Sequence, residues 1–145
     1  MRKTWLFSVL FVGLHLSADA GPSQRKVLWL GWWQTGNQEK VAFEWRVNES
    51  NECCAVWNIQ ITGSAKDMFG ESQLSGYCAE ARCVINQFYT SGKFKGRTYI
   101  YSANAEPSAD GRGLKSVSGN YHLKNGSADG IFQFDRSEEL LCTLA

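Results

Sequence analysis

The chain has 145 residues, of which 43% are apolar and 20% charged, and its formal net charge is +1 at pH 7. This length suits one domain with its own core and is too short for two. Acidic and basic side chains are nearly balanced and no basic cluster is present, which argues against nucleic-acid binding and against electrostatic binding to a membrane.

The chain begins with the pattern of a secretory signal peptide. A basic start is followed by an apolar stretch over residues 4–16 and by small residues at Ala18 and Ala20. The apolar stretch is shorter than the roughly 20 residues that a membrane-spanning helix needs. We therefore expect residues 1–20 to be a signal peptide, residues 21–145 to form the domain, and the mature protein to be secreted or periplasmic.

Alternation of apolar and polar residues predicts a series of β-strands after the signal peptide. The clearest strand has Phe43, Trp45 and Val47 on one face and Glu44 and Arg46 on the other. About eight strands are predicted in this way, near residues 27–34, 41–48, 55–62, 71–78, 83–89, 94–102, 117–123 and 130–135. No window shows a strong helical period, and only residues 137–144 are a candidate for a short helix.

The connections between these strands are short and follow the order of the chain. Residues 35–38, 48–52 and the Asn125-Gly126 pair carry turn signals, and residues 103–113 form the longest predicted loop. Such a meander can close on itself and so remove its exposed edges, which predicts an all-β, antiparallel up-and-down barrel. A two-sheet β-sandwich built from the same strands is the structural alternative.

A glycine precedes an aromatic residue by two positions at four places in the chain. In a strand, residues two apart share a face, so each glycine leaves a gap beside a ring that must be filled or covered across the sheet. Repetition of this pattern is typical of the strongly bent strands of a small closed barrel. The pairs are Gly31 with Trp33, Gly92 with Phe94, Gly119 with Tyr121, and Gly130 with Phe132.

Five cysteines follow the predicted signal peptide, and an oxidising compartment favours their pairing. Cys78 and Cys83 flank a loop of hairpin length, so they are expected to face each other and form a disulfide. Adjacent cysteines rarely bond to each other, so Cys142 is expected to pair with Cys53 or Cys54, which leaves one thiol over.

Several short motifs give the chain a resemblance to a known group of barrels. It has Trp29-x-Gly31-x-Trp33 in the first strand, glycines inside the middle strands, and two Gly-x-aromatic segments at the end, namely Ser118-Gly119-Asn120-Tyr121 and Asp129-Gly130-Ile131-Phe132. In this pattern it resembles the secreted calycin-like barrels, which include lipocalins and avidins. The resemblance covers most of the chain after residue 20 and implies the barrel fold. It carries no family function over, because one barrel hosts many functions.

Residues suited to catalysis or metal binding are few. His122 is the only histidine after the signal peptide and is expected to point outward, next to Lys124. The acidic pair Glu49 and Glu52 is expected to be solvated in a turn, and Glu138 with Glu139 to be solvated at the chain end. We therefore expect no catalytic residue, no metal site and no cofactor, and an enzyme is the less favoured class.

A set of large aromatic side chains is expected to face the interior of the barrel: Trp33, Phe43, Trp45, Trp57, Tyr121 and Phe132. These rings either fill the barrel or line a cup for a ligand. The leading prediction is non-enzymatic binding of a small apolar or amphipathic molecule in the barrel mouth. The alternative is a protein-binding module, such as an inhibitor of a secreted hydrolase, which would use rim loops and solvent-facing Tyr99 and Tyr101.

Overall fold

The computed structural model describes residues 23–51, 58–107, 109, 114–126 and 129–139. It contains eight strands: β1 (Ser23–Gln34), β2 (Val41–Asn51), β3 (Asn58–Asp67), β4 (Gly70–Ala79), β5 (Arg82–Tyr89), β6 (Thr98–Pro107), β7 (Leu114–Leu123) and β8 (Asp129–Glu139). Each strand pairs antiparallel with the next, and β1 pairs with β8, so the sheet closes. The predicted eight-stranded up-and-down barrel is therefore confirmed, and the sandwich is not formed.

Some strand bounds differ from those predicted. β2 continues through the expected turn to Asn51, and β3 runs on to Asp67. β6 begins at Thr98 instead of residue 94, so Phe94 lies in the preceding loop, and it extends to Pro107. The extra residues of β6 were predicted to be part of a loop because Pro107 and the Asp110-Gly111 pair are turn signals. They form a strand because β7 supplies backbone partners for them.

Several predicted features lie outside the described residues. These are the signal peptide (1–20), Trp57, and the three cysteines Cys53, Cys54 and Cys142. Of the possible terminal helix, residues 137–139 belong to β8 instead, and the remainder lies outside the described ranges. Within the described ranges, no helix is long and apolar enough to cross a membrane.

The glycines inside the strands lie where neighbouring backbones come close together. A Cβ atom on Gly31 would lie 1.9 Å from the carbonyl oxygen of Gln133, and one on Gly119 would lie 2.1 Å from that of Ser102. The backbone of the adjacent strand therefore covers the space beside these two glycines, which is the covering across the sheet that the sequence allowed for. Glycine at such positions allows the sheet to bend tightly enough to close.

The barrel has two distinct ends. At the upper end lie the connections 35–40, 68–69 and 90–97 and the turn after β7. At the lower end lie the start of β1, the end of β8 and the turn between β4 and β5. As predicted, Glu44, Arg46 and His122 point outward and are exposed.

The predicted disulfide between Cys78 and Cys83 is present. The two residues are direct partners across β4 and β5, with Cα atoms 4.0 Å apart. Only Glu80 and Ala81 form the turn between the strands, and both have positive φ angles, 51° and 75°. This is the backbone of a two-residue hairpin turn, which usually carries asparagine or glycine.

Candidate functional site

Aromatic rings fill the middle of the barrel. We call this group the central aromatic cluster; its members are Trp29, Phe43, Trp45, Phe132 and Phe134, all buried. The ring of Phe134 lies with its centroid 4.2 Å from that of Phe43 and 4.3 Å from that of Trp45. The indole N–H of Trp45 is buried and meets no hydrogen-bond acceptor among the described residues. This part of the interior is filled by closely packed rings.

Toward the upper end the interior is open. A cavity of about 240 Å³ opens to the surface there, and we call it the tyrosine cup. Its rings are those of Trp33, Phe69, Tyr89, Phe94, Tyr99, Tyr101 and Tyr121. Tyr101 forms the floor, because its ring centroid lies 4.9 Å from that of Trp45 in the cluster and 5.6 Å from that of Tyr121 in the cup.

One wall of the cup is built from two connections. Phe69 lies in the turn between β3 and β4, where its backbone N–H donates to Oδ1 of Asp67 at 2.8 Å. Phe94 lies in the loop between β5 and β6, and its N–H donates to the carbonyl oxygen of Phe69 at 3.1 Å. These bonds fix the two loops against each other, so the wall is rigidly placed although it is not part of a strand.

The hydroxyls of two tyrosines in the cup donate hydrogen bonds to other residues of the protein. Tyr89 donates to Oδ2 of Asp67 at 2.6 Å, and Tyr101 donates to Oε1 of Gln87 at 2.7 Å. Gln87 is buried and donates in turn to Oγ of Ser72 at 2.9 Å. Each of these phenol oxygens still has lone pairs that can accept a hydrogen bond.

Tyr99 has the opposite hydrogen-bonding role. Its oxygen accepts from Nη1 of Arg97 at 3.3 Å, and its own proton meets no acceptor among the described residues. The hydroxyls of Tyr121 and Thr35 form a further hydrogen bond, 2.5 Å long, near the mouth. The cup therefore offers acceptors at Tyr89 and Tyr101 and a donor at Tyr99.

Three phenols of the cup, those of Tyr89, Tyr101 and Tyr121, have raised pKa values and remain protonated at neutral pH. Burial is the main cause that raises the pKa of Tyr89, Tyr101 and Tyr121 above the ordinary value of 10.0. For Tyr89 the hydrogen bond to Asp67 raises the pKa further, because the carboxylate opposes a phenolate beside it. These groups can donate and accept hydrogen bonds, but they are poor bases.

Arg97 places a positive charge at the rim of the cup. Its guanidinium lies 4.1 Å from the centre of the Phe94 ring, a cation–π arrangement. The side chain is exposed, and it forms no ion pair in the described part of the chain. Arg97 is therefore available to a ligand that enters the cup.

The lower end contains a buried carboxylate. Glu49 was predicted to be solvated in a turn, which is wrong: only 3% of its surface is exposed. Its Oε2 accepts from Nε1 of Trp29 at 2.9 Å, and its Oε1 lies 3.5 Å from Nε of Arg136. Burial raises the pKa of Glu49, and the Trp29 hydrogen bond and the Arg136 charge oppose this rise. Continued alternation from Phe43 would have placed Glu49 on the inner face.

The residues predicted to bind a ligand fall into three groups. Trp33 and Tyr121 line the tyrosine cup. Phe43, Trp45 and Phe132 belong to the central aromatic cluster and do not line the cup. Trp57 lies outside the described residues.

The prediction that Tyr99 and Tyr101 face the solvent is wrong. They are only 7% and 3% exposed and point into the cup, while Ile100 between them lies half-buried on the outer face. A tyrosine can be buried where its hydroxyl finds a partner, which only the fold supplies here through Arg97 and Gln87. Sequence reasoning also missed the roles of Tyr89, Phe69, Phe94 and Arg97. Alternation within β5 and β6 is the one signal that pointed to the tyrosines.

Comparisons of this chain with protein-family models, with curated proteins and with solved structures gave no match. What the structure defines is therefore a class of fold: a closed antiparallel barrel of eight strands with a large buried aromatic cluster. Among the described residues, no three His, Cys, Asp or Glu side chains come together in a way that could hold a metal ion.

Proposed function

We propose that this protein is a secreted, non-enzymatic binding protein that holds one small, partly apolar molecule in the tyrosine cup. The observation that carries the proposal is the division of the interior. Packed rings close its middle, whereas toward the upper end an aromatic cavity of about 240 Å³ stays open. An open cavity adds nothing to the packing of the core, so its presence favours a role in binding.

The dimensions and lining of the cup suit a small molecule. Ligand pockets commonly have volumes of roughly 300–1,000 Å³, so a cavity of about 240 Å³ suits a ligand of a few rings at most. Its rings remove apolar ligand surface from water, which contributes about 25 cal/mol per Å². The phenol hydroxyls add a few fixed hydrogen-bonding positions that orient the ligand.

The ionisable groups of the cup favour binding over catalysis. Among the described residues that line it, the titratable side chains are tyrosines and Arg97, and none is a carboxylate or a histidine. The raised pKa values of Tyr89, Tyr101 and Tyr121 keep these phenols protonated, so they are poor general bases near neutral pH.

Two features support secretion. Residues 1–20 have the pattern of a signal peptide. The disulfide between Cys78 and Cys83 is of the kind that persists in oxidising compartments.

Native mass spectrometry of the protein, purified from its own host without denaturation, tests the proposal. We expect a mass excess that disappears when the same sample is measured under denaturing conditions. Trp33→Ala should reduce the retained fraction, since Trp33 lines the cup. Trp32→Ala is the matched control, because Trp32 is adjacent in β1 and its ring lies against Lys40, 4.0 Å away, instead of lining the cup.

Absence of any mass excess in the wild-type protein, together with no binding of apolar probes, would contradict the proposal. It would favour a packed barrel that acts through its outer surface, as the protein-binding alternative requires. That alternative relied on outward Tyr99 and Tyr101, and both rings are buried.

A further inference from the structure

One wall of the mouth of the tyrosine cup is rich in positive charge. The loop between β5 and β6 carries Lys93, Lys95 and Arg97 and no acidic residue. The nearby carboxylate of Asp67 already accepts hydrogen bonds from the hydroxyl of Tyr89 and the N–H of Phe69. The wall that Phe94 and Arg97 form is therefore cationic.

The available hydrogen-bond donors lie on the same side. The guanidinium of Arg97 lies above the Phe94 ring and also donates to the Tyr99 oxygen, so the two residues are adjacent. A guanidinium has five N–H groups, and this weak bond of 3.3 Å uses one of them. The proton of Tyr99 completes a set of donors that would converge on an oxygen anion at the rim.

We propose that the tyrosine cup selects molecules that have a planar apolar body and a single anionic oxygen head group, such as a carboxylate or sulfonate. The body packs among Trp33, Tyr121 and the other rings, and Arg97 and Tyr99 bind the head group at the rim. This inference rests on the proposed function and adds to it the chemical class of the ligand.

A cationic ligand is the main competing possibility, because the faces of tyrosine and tryptophan rings attract cations. Here Arg97 already occupies the face of Phe94, and Lys93 and Lys95 lie on the same loop. Like charges on this wall disfavour a cation beside it, so this side of the cup favours an anion.

A pair of fluorescent probes that differ in charge tests the inference. 8-Anilinonaphthalene-1-sulfonate and N-phenyl-1-naphthylamine share the same ring system, and only the first carries a sulfonate. Both are titrated into the full-length mature protein and into the variants Arg97→Gln and Lys95→Gln. Trp33→Ala shows whether binding occurs in the cup, and circular dichroism confirms that each variant is folded.

We expect the wild type to bind the sulfonate probe more tightly than the neutral probe. Arg97→Gln should weaken sulfonate binding about tenfold, the usual effect of losing one hydrogen bond to a charged group, and should change the affinity for the neutral probe less than about twofold. Lys95→Gln should weaken sulfonate binding much less than Arg97→Gln does, because Lys95 is on the same loop but does not line the cup. Added salt should weaken only the binding of the sulfonate probe.

The possible failures are distinguishable. If the neutral probe binds in a Trp33-dependent manner and the sulfonate probe binds no better, the proposed function stands and the anionic class is overturned. An equal loss of both probes in Arg97→Gln also overturns it, since Arg97 would then act on the shape of the cup and not on charge. If neither probe binds the wild type, this inference is overturned, and if native mass spectrometry also shows no mass excess, the proposed function is overturned with it.

Discussion

Phe69 and Phe94 stack face to face, with ring centroids 4.1 Å apart and ring planes 1° from parallel. The stack joins the turn between β3 and β4 to the loop between β5 and β6, and both rings line the tyrosine cup. Behind the rings the two backbones are in close contact, because Gly70 and Gly92 leave no side chain between them. The shape of the cup therefore depends on glycines that do not line it.

Gly92→Ala should loosen this wall. A Cβ atom at position 92 would lie 2.5 Å from the carbonyl oxygen of Phe69 and 2.6 Å from Cα of Gly70. Gly96→Ala is a matched control in the same loop: its φ is +89° against +80° for Gly92, but nothing lies within 4 Å of its Cβ position. Both variants incur the cost of a positive φ, about 1 kcal/mol, and Gly92→Ala should lose a further 1–3 kcal/mol or so of unfolding free energy from the clash.

Urea unfolding monitored by circular dichroism measures the difference between the two variants. Gly92→Ala should also weaken binding of a fluorescent probe in the cup, whereas Gly96→Ala should leave it nearly unchanged. Equal unfolding free energies for the two variants would show that the loops are not in contact as described.

Replacing Trp45 should mainly lower stability, whereas replacing Trp33 should mainly weaken binding in the cup. Trp45 is fully buried in the central aromatic cluster, so Trp45→Ala should lower the free energy of unfolding by about 3–5 kcal/mol. Trp33 is only partly buried and lines the cup, so Trp33→Ala should cost less stability and weaken probe binding about tenfold or more. Denaturant unfolding and probe titration on both variants check this separation. A larger loss of stability for Trp33→Ala would contradict it.

The buried carboxylate of Glu49 should make stability depend on pH in a defined direction. Burial raises its pKa in the folded protein above the ordinary value of 4.5, so the folded protein holds a proton at pH values where the unfolded chain has lost it. The contribution of Glu49 to stability is therefore most favourable below pH 4.5 and declines as the pH rises through the folded-state pKa. Above that pKa it is constant.

Unfolding free energies of the wild type and of Glu49→Gln, measured over a series of pH values, check this dependence. The stability of the wild type relative to Glu49→Gln should fall as the pH rises from 4.5, because glutamine does not titrate. Glu44→Gln is the control, since Glu44 is exposed on the same strand. A relative stability that rises with pH would show that the charges around Glu49, including Arg136, outweigh its burial.

A glycine in the turn between β4 and β5 should raise the stability of the protein. Ala81 has a φ of 75°, which is unfavourable for any residue with a Cβ atom. Ala81→Gly should raise the free energy of unfolding by about 1 kcal/mol. Ala79→Gly, in the adjacent strand β4, should instead lower it by about 0.5–1 kcal/mol. Thermal unfolding of both variants tests this, and a loss of stability in Ala81→Gly would contradict the described turn.

The strands of the barrel were largely predictable because each has one face toward the core. In β2, Phe43, Trp45 and Val47 alternate with polar residues, and the strand forms as expected. Prediction failed at inward-facing positions that carry a polar side chain. Glu49 and Tyr101 are in phase with the core, yet their polar atoms suggested solvent, since the partners Arg136 and Gln87 lie on other strands.

The division of the interior into a packed cluster and an open cup was not predictable. Trp33 and Trp45 are the same residue type at inward-facing positions, and one lines the cavity while the other lies in the cluster. The difference depends on how far along the barrel axis each ring lies and on which rings from other strands reach it. Those distances result from the closure of the sheet and are not encoded in the local pattern.

Local alternation and short loops were enough to predict the strands, the hairpin disulfide between Cys78 and Cys83 and the outward faces of Glu44 and His122. The tyrosine cup could not be predicted in this way, since it forms only when folding brings Arg97, Phe69 and Tyr121 together from separate connections and strands. The burial of Glu49 likewise depends on the folded chain. A polar side chain can be buried only where distant residues satisfy its hydrogen bonds or charge, and only the folded chain brings those residues within reach.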